Sequence, residues 1–124
     1  MFIIEEHLPF IRVTFSGDVD AHQLYLAVDK VKTLESYRDK NDLWIFRDCS
    51  TSFSHSSLMG LVTAIGQDYP ASAGRTKTAI VATSGLLTAL AELFRQAALD
   101  LPYTIRIFNN PSSAEAWLEQ QEES

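Results

Sequence analysis

Apolar positions along this chain change period several times, and each change marks an element. Ile11, Val13 and Phe15 alternate with Arg12, Thr14 and Ser16, the two-residue period of a strand with one buried face. A shorter apolar segment, Phe2 to Glu6, precedes it across His7-Leu8-Pro9, and so short a connection predicts an antiparallel hairpin. Gly17-Asp18 reads as the end of the second strand. Asp20 can then cap a helix, because its carboxylate can accept from a free amide of the first turn. Leu24, Ala27, Val28, Val31 and Leu34 recur at helical spacing behind it. After the polar run Tyr37 to Asn41, read as a loop, Leu43-Trp44-Ile45-Phe46 is apolar without a break and is closed by Arg47-Asp48. That is the pattern of a central strand covered on both faces.

Cys49 to Ser57 is rich in Ser and Thr and reads as a loop, leading into a helix with the stripe Leu58, Leu61, Val62 and Ile65. Asp68 to Arg75 reads as another loop, and Thr78 to Ala82 as an internal strand. Thr83-Ser84-Gly85 opens a helix that turns Leu86, Leu90, Leu93, Phe94 and Ala97 inward. Pro102 precedes a strand built on Tyr103, Ile105 and Ile107, and Asn110 to Ser112 start a helix carrying Ala114, Trp117 and Leu118. The order is β-β-α-β-α-β-α-β-α. Strands separated by helices call for parallel crossovers, right-handed almost without exception. The fold class expected is α/β: a mixed five-stranded sheet, an antiparallel hairpin followed by parallel β-α units, with about four helices. Residues 1–124 read as one domain, with 119–124 an acidic, frayed tail.

Composition narrows the function classes. Ten basic against sixteen acidic side chains give a net charge of -6, which disfavours nucleic acid and anionic membrane because both bind through phosphate neutralisation. No apolar run approaches the roughly 18 residues that cross a bilayer. The first residues carry no basic region followed by an apolar stretch, so no signal peptide is read there and a cytoplasmic location is expected. The single Cys49 cannot form an internal disulfide. It reads as a small buried residue.

The segments Ile11-Arg-Val-Thr-Phe-Ser-Gly-Asp18, Leu43-Trp-Ile-Phe-Arg-Asp48, Thr76-Lys-Thr-Ala-Ile-Val-Ala82 and Ile105-Arg-Ile-Phe-Asn-Asn-Pro-Ser-Ser-Ala-Glu-Ala-Trp-Leu118 occur in an order and spacing with a precedent. Together they resemble the SpoIIAA-like branch of the STAS (anti-sigma-factor antagonist) superfamily, also labelled STAS/SEC14-like, over nearly all of Ile11 to Leu118. In anti-sigma-factor antagonists the loop after the third strand carries Asp-Ser-Ser/Thr-Gly, and a partner kinase phosphorylates a Ser there. Laid on this chain the motif falls on His55-Ser56-Ser57-Leu58, where the serines match and the Asp and Gly do not. The resemblance implies a non-enzymatic regulatory, protein-binding module with a degenerate phospho-switch, whose partner is an anti-sigma-type kinase or another signalling protein. The SEC14-like kinship implies an alternative, a carrier of a small apolar, lipid-like ligand held between sheet and helices near Leu90, Phe94 and Phe108.

Each candidate site residue has a plain reading beside the functional one. Ser56 and Ser57 can cap a helix, and the same geometry would stabilise a phosphate, with His55 beside it. Asp48 stands at the carboxyl end of the central strand with Thr83, Ser84 and Asn109 at the same edge, where open α/β sheets hold ligands. It can equally bracket the Ser-rich loop. Phe53, Leu58 and Met59 are candidate partner anchors. His7, His22 and His55 lack the spacing of metal ligands, so no metal or cofactor is expected, and no nucleophile–base pair is evident. A homodimer is admitted as a way to cover an edge strand, with no interface placed.

Overall fold

The structure, a computed structural model, describes residues 2–6, 9–34, 41–51, 56–57, 59–60, 63, 76–83, 85–97 and 103–120. Five strands, β1 (Phe2–Glu5), β2 (Ile11–Val19), β3 (Asp42–Thr51), β4 (Thr76–Ala82) and β5 (Tyr103–Phe108), form one sheet in the order β1-β2-β3-β4-β5. β1 is antiparallel to β2, and every later neighbour is parallel. Three helices are described along their length: α1 (Ala21–Lys32), α2 (Gly85–Ala97) and α3 (Pro111–Glu119). About four were expected. Ser56, Ser57, Met59, Gly60 and Thr63 are helical as well, but Leu58, Leu61, Val62 and Ile65, on which the remaining helix was read, lie outside the described residues.

Strand order dictates which face each helix covers. Crossovers of one hand that always step in the same direction place their helices on the same face of a sheet. α1 accordingly packs on Ile11, Val13 and Phe15, and α2 on Ile80 and Ile105 of that same face, with Phe46 and Phe94 joining the two clusters. The Phe15 and Phe46 rings, paired across β2 and β3, stack at 4.8 Å and 4°. α3 follows the last strand and has no crossover to make, so it takes the other face. There Ala114, Trp117 and Leu118 close over Phe10, Leu43, Ile45, Ala79 and Val81. Among the described residues no other helix packs on that face. Its β1–β2 half carries the exposed Ile3 and half-buried Thr14, while Arg12 pairs with Glu5 at 2.7 Å and lies 3.7 Å from Glu115 of α3.

Two boundaries differ from the expectation, for one reason. Gly17 does not end β2 and Cys49 does not open a loop. Gly17, Asp18 and Val19 pair with Cys49, Ser50 and Thr51 beyond a register shift. Between Phe15↔Phe46 and Gly17↔Cys49, Ser16 alone opposes Arg47 and Asp48, so β3 bulges there. Gly17 has φ +75°, a left-handed conformation that glycine adopts without a Cβ penalty. The two strands therefore project beyond the last β3–β4 pair, Phe46↔Ala82, as a ribbon. Apolar alternation stops where the double-sided core stops, which is why pattern alone ended both strands early.

Candidate functional site

At the carboxyl ends of the parallel strands, β4 hands the chain to α2 on one face and β5 hands it to α3 on the other. Asn110 caps α3, its Oδ1 accepting from the Ser113 amide at 2.8 Å, while its own amide group donates to Asn109 Oδ1 at 3.0 Å. Between the two helix starts lies an open cleft of about 380 Å³ lined by Ala82, Thr88, Ile107, Phe108, Asn109 and Ser113. Ala82, Ile107 and Phe108 make its walls apolar, Thr88, Asn109 and Ser113 offer hydroxyl and amide groups, and no charged side chain lines it among the described residues. Open α/β sheets hold their ligands at this edge, and the volume is of the order small molecules use.

One strand away, Asp48 sits within the β3 bulge, three residues before the strand ends at Thr51 rather than at its end. The placement of its side chain lies outside the described residues, as do Phe53, His55, Leu58 and Ser84. Thr83 follows β4 and is exposed, and Asn109 follows β5 and lines the cleft. Of the carrier residues, Phe94 and Phe108 are half-buried on opposite faces of the sheet, and the side chain of Leu90 is outside the described set. The structure does not bring Phe94 and Phe108 to one chamber.

Ser56, Met59, Gly60 and Thr63 are all exposed. The spacing of Ser56, Met59 and Thr63 puts those three on one side of a helix, while Gly60 turns its Cα toward α1. Ser57, on the side turned toward α1, is half-buried, and its carbonyl accepts from the Tyr25 hydroxyl at 3.1 Å. Gly60 reinforces the junction, since a Cβ there would stand 2.5 Å from the same hydroxyl oxygen. Tyr25 thus holds the helix start against α1 and leaves Ser56 and Met59 facing outward.

The opposite edge of the sheet holds a polar network that was not foreseen. Asp42 begins β3 and faces Thr78 of β4, whose hydroxyl donates to it at 2.6 Å, while the Trp44 indole donates at 2.7 Å. Burial of the carboxyl, only partly offset by these two donors, pushes its pKa up to about 6. On the other face, buried Lys77 donates to the Gln120 carbonyl at 2.6 Å and the Trp117 carbonyl at 3.1 Å, with its ammonium 5.4 Å from the Trp117 ring centre. Asn41 accepts from the Lys77 amide at 2.8 Å and donates to the Leu118 carbonyl at 3.1 Å. These groups tie the end of α3 to the sheet, where a cation also meets the negative end of the helix dipole. Asn41 was read as the end of a loop and Thr78 as the start of a strand, while Asp42 and Lys77 between such segments were assigned to neither. The available signal was a set of polar residues at the amino ends of two adjoining apolar strands.

No group of three or more His, Cys, Asp or Glu side chains able to hold a metal occurs among the described residues. His22 is exposed on α1, and His7 and His55 lie outside the described set. No helix among the described residues is long and apolar enough to cross a membrane.

No protein-family model matches the chain, and no curated protein matches it. In overall shape it is similar to the crystal structure of an uncharacterised protein of the DUF3478 family, described as having a SpoIIAA-like fold, from Shewanella loihica PV-4. The TM-score is 0.58 at 14% identity, over 95% of this chain and 92% of that one. At that identity the likeness speaks for the fold alone, and this chain has a SpoIIAA-like fold.

Proposed function

We propose that this SpoIIAA-like chain is a non-enzymatic regulatory module that acts by binding another protein. The observation that carries the reading is the outward face Ser56, Met59 and Thr63, uncharged and exposed on a helix that Tyr25 fixes to α1. Methionine adapts to varied partner surfaces, and small neighbours let a partner approach closely. Ser56 is the more accessible of the two serines in the half-matched motif, and phosphate there would be the finer, switching form of the function.

The test places a photo-crosslinking residue at Met59 and, as a control, at exposed Ser112 of α3. One discrete adduct from position 59 is expected, and its purified partner should rebind the unmodified chain with an affinity that Met59→Asp weakens at least about tenfold. Equal labelling from both positions, or a Met59→Asp chain that binds normally, refutes the reading. Incubation with an anti-sigma-type kinase and ATP, followed by phosphate mapping, tests the switch separately.

The carrier reading retains one supporting observation, the cleft with Ala82, Ile107 and Phe108 in its wall. Native mass spectrometry of the purified chain separates the two, because a carrier retains a small-molecule adduct that is displaced on unfolding.

A further inference from the structure

Edge strands expose unpaired amides and carbonyls, and proteins usually guard them with charge, proline or a covering element. Among the described residues the sheet has two edges, β1 and β5. β5 is guarded: exposed Thr104 and Arg106 lie along it, and the Arg106 guanidinium rests 5.2 Å from the Phe108 ring centre and 5.5 Å from that of Trp117. β1 is not. Its first three residues, Phe2-Ile3-Ile4, carry no charge, and Ile3 is 59% exposed on the half-sheet that α3 leaves bare.

We propose that β1 is a homodimer edge, pairing antiparallel with β1 of a second copy of the chain so that Ile3 lies opposite Ile3 of the partner subunit. Symmetry selects this register. A two-fold axis perpendicular to the sheet keeps each face on its own side, so residues sharing a face must oppose one another. Centring the axis on Ile3 sets Phe2 against Ile4 of the partner subunit, so every pair formed among residues 2–4 is apolar. Centring it on Ile4 instead sets Ile3 against Glu5, whose carboxylate already serves Arg12.

Charge agrees with the first register. Lys30 projects over the Phe2 ring at 5.6 Å from its centre. Strand alternation puts Glu6 on the face of Phe2 and Ile4. In the Ile3-centred pair, Glu6 of the partner subunit becomes the diagonal neighbour of Phe2, within roughly 7–8 Å in backbone terms. Each dimer thus gains two Lys30–Glu6 contacts across its edge. The proposal is independent of the partner-binding face, which lies on a different element.

Sedimentation velocity of the full chain over a range of about 1 to 200 µM suits so small a strand-pair interface. A reversible monomer–dimer equilibrium is expected, its dissociation constant raised at least about tenfold by Ile3→Lys and left within about twofold by Ile3→Val. Opposed residues of an antiparallel pair have Cα atoms about 4.5–5.5 Å apart, within disulfide reach. In a Cys49→Ser background, Ile3→Cys should therefore form a covalent dimer on mild oxidation and Ile4→Cys should not. A monomer throughout the range, or a dimer indifferent to Ile3→Lys with no cross-link at position 3, overturns the proposal. Cross-linking from position 4 and not position 3 overturns the register. Circular dichroism of each variant excludes loss of fold as the cause, and Ile3→Cys keeps the question open to test if Ile3→Lys unfolds.

Discussion

Asp42 is a carboxyl group held where its charge is unwelcome, and replacing it by Asn isolates that cost. Its pKa of about 6 stands roughly two units above the ordinary 3.8. Two units correspond to about 3 kcal/mol of preference for the neutral form, a ceiling because the residue keeps some contact with water. The folded state binds this proton more tightly than the unfolded state does. The group's contribution is therefore most favourable below about pH 4, declines as pH rises toward about 6, and stays at its lowest above that. Asparagine keeps the shape and can satisfy both neighbours: its Oδ1 accepts from the Trp44 indole, and its amide donates to a Thr78 hydroxyl whose proton has turned away. Asp42→Asn should match the parent within about 0.5 kcal/mol near pH 3 and exceed it by about 1–3 kcal/mol at pH 7.5. Urea unfolding at half-unit pH intervals measures this as a difference between the two chains, which cancels the other carboxylates. A difference that is flat with pH, or an Asn variant that is weaker at pH 7.5, refutes the argument. Either result would mean that the two donors outweigh desolvation and that the carboxylate is welcome as an anion.

The remaining expectations concern the anchors of the fold. Lys77→Met keeps the aliphatic stem over Trp117 but leaves the Trp117 and Gln120 carbonyls without their cation, and should cost about 2–3 kcal/mol, with amide exchange rising first in α3. Gly17→Ala meets nothing within 4 Å, so its loss of about 1 kcal/mol comes from the left-handed φ alone; Gly17→Asn should recover part of it in the same denaturation assay.

What could be read from the sequence follows from what was being buried. The Ile11-Val13-Phe15 alternation, the Leu43–Phe46 run and the Ala114-Trp117-Leu118 stripe all report residues whose faces meet a core, and each appears in the structure as read. Cys49 to Thr51 gave no such report because that stretch of β3 pairs with β2 alone, beyond the last pair with β4. The site residues were less legible. Ser56 and Met59 could be named as exposed candidates, but not the Tyr25 bond that orients them, which joins residues 32 positions apart. Asp42 was hidden for the opposite reason, since a lone Asp at the end of a polar run looks solvated until Thr78 and Trp44 are brought to it.

The sequential strand order has a consequence for how the chain is made. Synthesis delivers all five strands before α3, the single described helix that shields Leu43, Ile45, Ala79 and Val81. At about 5–20 residues per second, a nascent chain with its crossover helices already docked still shows water an oily strip across its second face. That strip stays adhesive until Trp117 clears the ribosome and Lys77 catches the end of its helix. A released chain cut short between β5 and α3 would be a half-lidded sheet, with Leu43, Ile45, Ala79 and Val81 left open to water.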